Sequence, residues 1–416
     1  MIKIKKTEYN YEIQPLKHPF GFKGGYSSCI WTVVVDLTNE EHKASGSSIQ
    51  GVLWSDGPLY SSLKEQKANQ YMFDITSYIC RLLKGLSYTY PEELFDIMYE
   101  SAMHYAHSVL KISPRKTFIL NALVPVDNAL RMLYCKRNRI NEFEYFASFN
   151  GITDIKQDKL SLIPLITYNT SLEQIKNLAD SGVCIFKIKI GADPDNDNDM
   201  SKMLNQDMKR LLQIHEILKE YKSVHTESGY VAYYLDANGR YDTIERVNKL
   251  LDYAKKIGAY ERIVLLEEPF DETNDIDVSG IGLTVAADES VHDEVDAIRK
   301  IERGYKAFAL KPIAKTITIT NRVAKIALKN NINVFCADLT VTPMLVEINK
   351  NYAARLPAIK GMKIGIIESN GAQNYTNWDL MMDKHPLKDN YFTHPIKGIF
   401  MLNDMFYNSS GGIFLE

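Results

Sequence analysis

Residues 184–190 read Cys184-Ile185-Phe186-Lys187-Ile188-Lys189-Ile190. Successive side chains of a strand point to opposite faces. Lys187 and Lys189 therefore share one face, while Phe186, Ile188 and Ile190 share the other, a face suited to a layer of helices. Taken alone, two alternating lysines are the ordinary mark of a solvated strand. The rest of the chain changes that reading. From about residue 160, short apolar stretches alternate with helical ones: 162–169 then 171–182, 184–190 then a long helix around 203–222, and 232–239 then 243–258. The rhythm continues through 263–270, 283–290 then 294–304, 307–313 then 318–331, 332–339 then 342–356, and 363–369. Eight such strands predict an α/β fold in which a parallel sheet closes into a (β/α)8 barrel. An open doubly wound sheet is the weaker alternative, because no G-x-G-x-x-G follows the first strand.

Outside the barrel the pattern differs. Residues 1 to about 60 read as strands rich in β-branched and aromatic residues, with a Gly-rich turn at 19–25 and a loop at 53–62. From about 65 to 145 the spacing is helical, with Leu94, Met98, Ala102, Tyr105 and Val109 on one stripe behind Pro91. The expected division is 1–145 as an α+β unit, 146–375 as the barrel, and 376–416 as a segment packing back on the N-terminal unit. With 416 residues, two or three domains are expected.

Composition narrows the function. Forty-nine Lys+Arg against 52 Asp+Glu leave a net charge of -3, without the basic excess of a nucleic-acid protein. No apolar run approaches the ~18 residues of a membrane span or resembles a signal-peptide core. Five scattered cysteines without a C-x-x-C pair argue against a disulfide framework or zinc cluster, and fit a reducing cytoplasm.

Charge gathers at the C-terminal tips of the predicted strands. Asp236 and Asn238 end strand three, Glu267 and Glu268 strand four, Asp288 and Glu289 strand five, and Lys311 strand six. Small residues, Ala286, Ala307 and Ala309, precede the last two tips on the inward parity. In a barrel these tips converge on one pocket. Asp236, Glu267 and Asp288 would form an oxygen-only site for a hard cation such as Mg²⁺. Rim acids that merely cap helices are the ordinary alternative. Lys189 and Lys311, about half a barrel apart, would face a substrate from opposite sides as acid/base groups. That role expects their pKa values to fall below the usual lysine range, through the like charge of Lys187 and of the cation and through partial desolvation.

K-I-K (187–189), L-D-A-N (235–238), E-E-P (267–269), A-D-E-S (287–290) and L-K-P (310–312), in this order, resemble the enolase superfamily, closest to its muconate-lactonizing and dipeptide-epimerase branch. Strand seven, Asn333 to Leu339, lacks the His of the mandelate-racemase branch. The resemblance implies a capping domain, a modified barrel and a returning C-terminal segment. It implies Mg²⁺ (with Mn²⁺ as a substitute) on Asp236, Glu267 and Asp288, acid/base roles for Lys189 and Lys311, and Lys187 near the substrate carboxylate. Asn238 and Glu289 fall at supporting positions. Two capping loops, 20–25 and 54–60, would close over a small carboxylate-bearing substrate, with Phe20, Phe22, Trp54, Asp338 and Glu368 as candidate contacts. In place of the Asp-x-Asp of dipeptide epimerases, strand eight reads Ile366-Ile367-Glu368-Ser369-Asn370.

The expected activity is an isomerase that removes the proton α to a carboxylate through a metal-stabilised enediolate, first as a racemase or epimerase of an amino-acid or dipeptide-like acid. Cycloisomerase and syn-dehydratase chemistry, of the muconate cycloisomerase or o-succinylbenzoate synthase type, come next. A metal-dependent hydrolase and a non-catalytic binding protein are more distant. Relatives of this kind assemble from identical subunits, so a homo-oligomer is expected, with no nucleic-acid or membrane partner. An acidic run after Lys189 (191–199) reads as a solvated loop.

Overall fold

The computed structural model describes residues 1–22, 25–149, 152–193, 195 and 197–415, and the side chain of Phe22 lies outside that description. The N-terminal strands are β1 (Ile2–Lys3), β2 (Lys6–Phe22), β3 (Gly25–Thr38), β4 (Lys43–Gln50) and β5 (Ser87–Tyr88). Then come β6 (Lys159–Ile163), β7 (Leu165–Ile166), β8 (Ile185–Lys189), β9 (Ala232–Asp236), β10 (Ile263–Glu267) and β11 (Val285–Ala287). The series ends with β12 (Ala307–Leu310), β13 (Asn333–Cys336), β14 (Gly365–Glu368) and β15 (Ile399–Met401).

β7 to β14 pair in sequential order, all parallel, and β14 pairs in parallel with β6. Pro164 lies between β6 and β7, where its missing N–H interrupts the ladder. Its carbonyl still accepts from Lys187 N at 3.2 Å. β6 and β7 are thus one bent barrel strand that meets strand eight with its first half and strand two with its second, and the ring closes. The eight strands anticipated from the alternation are all present. Inside the ring Ile185, Ala232, Tyr234, Leu265, Ala286, Ala307, Ala309 and Phe335 form one apolar cluster.

The capping region is an antiparallel meander, β2–β3–β4, laid on the helix Lys116–Asn138. A Cβ at Gly46 of β4 would run into the backbone of Pro125 and Ala129, so strand and helix touch there without a side chain between. The same helix faces the barrel. Its Arg131, with no exposed surface, lies 3.2 Å from Asp127 and 2.9 Å from Glu92, and donates to Thr318 Oγ1 at 2.8 Å. Residues 53–62, expected as a loop, instead form the helices Val52–Ser55 and Gly57–Leu63. Asp56 ends the first and caps the second, accepting from Leu59 N at 3.0 Å, and Pro58 occupies the first turn. The acidic run is spent on ion pairs: Asp195 and Asp197 with Lys202, Asp193 with Arg240.

Residues after 376 pack mainly on the barrel rather than on the cap alone. β15 adds antiparallel to β6, and 410–412 lie on the helix Pro343–Ala353. The cap is met through Asn377, which donates to Gln14 at 2.8 Å, and through the rings of Phe414 and Phe146. Among the described residues no helix is long and apolar enough to cross a membrane.

One contact between cap and barrel carries a titratable histidine. His292 lies 2.8 Å from Asp296 and 3.1 Å from Glu272, whose partner on the cap is Arg115. Burial pulls the His292 pKa down, but Asp296 and Glu272 outweigh it and raise it above 6.5. A raised pKa contributes stability that is complete below 6.5 and is lost as pH climbs through the folded-state value. The stability advantage of the wild type over His292→Gln is therefore expected to shrink from pH 6 to pH 9. Urea titrations at both values measure it, and a gap that widens with pH contradicts the assignment.

Candidate active site

Register sets the floor of the site. Parallel pairing places Lys189 beside Asp236 and Asp236 beside Glu267, at one level on β8, β9 and β10. Asp288 and Lys311 stand one residue beyond β11 and β12. Beyond this floor the chain turns abruptly: Asn238 (φ 44°) and Glu268 (φ 38°) take left-handed backbone. A non-glycine residue there costs about 1–3 kcal/mol, so the surroundings must hold it. Asn238 N donates to Asp236 at 3.1 Å, and Glu268 N to the Ala286 carbonyl at 2.8 Å.

Three lysines project onto this floor. The Lys187 ammonium stands 3.1 Å from Asp236, 2.7 Å from Glu267 and 3.2 Å from Glu368, with the Tyr234 ring 4.8 Å away. Lys189 lies 2.6 Å from Asp236 and also donates to Asn238. On the far side of the ring, with β9, β10 and β11 between, Lys311 pairs with Asp288 beneath the Trp54 ring, 4.3 Å from its centre. Phe20, Trp54, Lys187, Lys189, Asp236, Asn238, Asp288, Lys311, Asp338 and Glu368 line a single cavity of about 70 Å³. Glu267 is fully buried beneath it, and Glu289 accepts from Asn238 Nδ2 at 3.2 Å. The Phe22 side chain lies outside the described residues. Asp338 and Glu368 are largely engaged by the protein: Asn370 N donates to Asp338 at 2.7 Å, and Asp338 N to Glu368 at 3.1 Å.

The electrostatics correct one expectation. Burial pulls the Lys187 pKa down, but Asp236, Glu267 and Glu368 together hold it well above the usual value, and Asp288 and Glu289 likewise hold Lys311 up. For Lys311 this is the reverse of the lowered value expected from like charge and a cation, because acids buried at contact distance favour its charged form. The acids divide. Burial raises every one, yet Lys187 and Lys189 bring Asp236 below its ordinary value, and Lys311 and Lys315 bring Asp288 to about 2. Glu267 is raised by burial and by the like charges of Asp236 and Asp288.

That repulsion bears on a cation. Asp236, Glu267 and Asp288 offer oxygen alone, and Glu267 Oε1 is buried with no hydrogen-bond partner. Oxygen donors with an unpaired buried lone pair fit a hard divalent ion. As the side chains stand, no group of three acid, His or Cys residues among those described is arranged to hold one, because the ammoniums of Lys187 and Lys311 lie among the carboxylates. The residues fit the ion provided those ammoniums yield.

Two contributors escaped the sequence reading. Lys315, buried, donates to the carbonyls of Asp288 and Val291 and supports Asp288 from below. Its signal was the four-residue spacing from Lys311, which the helical turn Pro312–Lys315 converts into proximity. Tyr234 donates to Glu267 from inside the barrel.

The geometry can be set beside known proteins. Residues 170–396 match the family model described as Enolase C-terminal domain-like. No curated protein sequence matches the chain. Among solved structures, a mandelate racemase/muconate lactonizing protein from Herpetosiphon aurantiacus superposes with TM-score 0.69 at 17% identity, over 97% of this chain and 96% of that one. A dipeptide epimerase from Enterococcus faecalis V583, complexed with Mg and L-Leu-L-Tyr, gives 0.64 at 16% identity over 90% and 92%. A muconate lactonizing enzyme from Pseudomonas fluorescens, complexed with muconolactone, gives 0.64 at 18% identity over 90% of each chain. At such identities these likenesses establish the fold.

Proposed function

This chain belongs to the enolase superfamily, in its mandelate racemase/muconate lactonizing branch, and from that membership and its site we propose that it removes the proton α to a substrate carboxylate. The observation that carries the reading is the pair Lys189 and Lys311, with three strands between them and lining one cavity. A group that takes a proton must lie within reach of it, and two lysines on opposite walls reach opposite faces of an α-carbon. One removes the proton and the other delivers one, which makes racemisation or epimerisation of an amino-acid or dipeptide-like acid the first reading. Lys187 turns toward the carboxylate end. Asp236, Glu267 and Asp288 would hold one Mg²⁺, with Mn²⁺ as a substitute. When bound, the ion would polarise the carboxylate and stabilise the charge that grows on it.

The second reading is cycloisomerisation or syn elimination, in which one lysine takes the proton and the opposite one stabilises charge. It is kept because the fold of a muconate lactonizing enzyme is matched as well as that of a dipeptide epimerase. Five free cysteines, four of them buried, suit a reducing cytoplasm.

The test is a screen in D₂O of amino acids, dipeptides, N-acylated amino acids and sugar acids, read by NMR. Mg²⁺-dependent loss of an α-proton signal is expected for at least one class, with both stereoisomers converging. No loss across the panel with folded, Mg²⁺-supplied protein overturns the reading.

A further inference from the structure

The cavity has a polar floor and a carbon roof. Phe20, Ile30, Val52 and Leu53 close it from the cap, and Leu165 and Leu339 from the strand tips. Polar side chains set among them are already committed. Ser27 donates to Glu65 at 2.6 Å, and the Gln50 amide, oriented to satisfy its neighbours, bonds Asn69 and Phe73 N. Thr340 donates to Asn370 at 2.9 Å and accepts from Asn374 at 3.3 Å. Among the described roof residues, Trp54 Nε1 is the one buried side-chain N–H without a partner. The roof also rests hard on the rim, since a Cβ on Gly51 would lie 2.5 Å from Leu339 Cδ2.

We propose that the acid bound here carries an apolar substituent, and that polyhydroxylated acids are excluded. This rests on the reading that the carboxylate end meets the lysines, which leaves the other end to the roof. A hydroxyl buried against carbon loses its water without gaining a partner, a cost on the order of ten- to a hundredfold in affinity.

The test titrates the Mg²⁺-supplied protein by calorimetry with 4-methylpentanoate and with a trihydroxybutanoate, acids of similar size. The apolar acid is expected to bind at least about tenfold tighter. Leu339→Asn is expected to narrow that gap to about threefold or less, and Ile30→Thr serves if that variant misfolds. Equal or tighter binding of the hydroxylated acid overturns the proposal, as does failure of both to bind. α-Proton exchange with apolar and hydroxylated acids separates the two claims. Apolar preference in binding without exchange of any acid sinks proton abstraction alone, and exchange confined to hydroxylated acids sinks the apolar substrate alone.

Discussion

Lys189→Ala and Lys311→Ala are each expected to lower α-proton exchange by on the order of 10²–10⁴-fold, the usual contribution of a positioned acid/base group, while the fold survives. The ion pairs explain why it survives. Without Lys189, Asp236 keeps Lys187 at 3.1 Å, and without Lys311, Asp288 keeps Lys315, which also holds its carbonyl. Neither variant abandons a buried carboxylate. Lys187 differs. It touches Asp236, Glu267 and Glu368 at once, so Lys187→Met leaves buried charge uncompensated and should cost about 3–5 kcal/mol of stability, which disqualifies it as a catalytic probe. The opposed walls add a stereochemical signature. Each alanine variant should lose exchange of one enantiomer more than of the other, with the bias reversed between the two. NMR on single enantiomers in D₂O reads this directly. Wild-type exchange in either variant removes that lysine from the reaction, and an identical bias in both favours elimination over racemisation.

Asp236→Asn, Glu267→Gln and Asp288→Asn are expected to weaken Mg²⁺ binding by on the order of a hundredfold or more and to abolish turnover with it. Asp338→Asn is the control. Asp338 lies in the same cavity, but its carboxylate is used by Asn370 N and Val341 N, and burial with the nearby Glu368 charge raises its pKa to about 6. Its replacement should leave Mg²⁺ affinity within about threefold. Calorimetric titration of the four variants separates ligands from neighbours. Equal weakening by all four would show a diffuse attraction to negative charge rather than a coordination site.

Why the barrel was readable and parts of the site were not follows from range. A strand declares its inward face through a period of two, and Lys187/Lys189, Ala286/Asp288 and Ala309/Lys311 each carry that parity in a few residues. Tips of parallel strands meet whatever the intervening helices are, so Asp236, Glu267 and Asp288 could be grouped before any distance was known. The two helices at 52–63 were missed because each is too short for a periodic signal. A single residue, Asp56, both ends one and starts the other. The Lys311 pKa is raised rather than lowered because sequence order shows which charges converge but not how deeply their partners are buried. Of the roof, Phe20 and Trp54 were legible as cap residues, but its seat on the rim was not: Gly51 meets Leu339 across nearly 290 residues, and nothing local to either announces the contact.

The proposed reaction turns on one divalent ion set between two opposed lysines. Anomalous scattering from crystals of the Mn²⁺-loaded protein locates that ion without reference to activity. A single peak within bonding distance of Asp236, Glu267 and Asp288, with Lys189 and Lys311 on either side, is the expected result. Two peaks, a peak elsewhere, or none at saturating Mn²⁺ would contradict it.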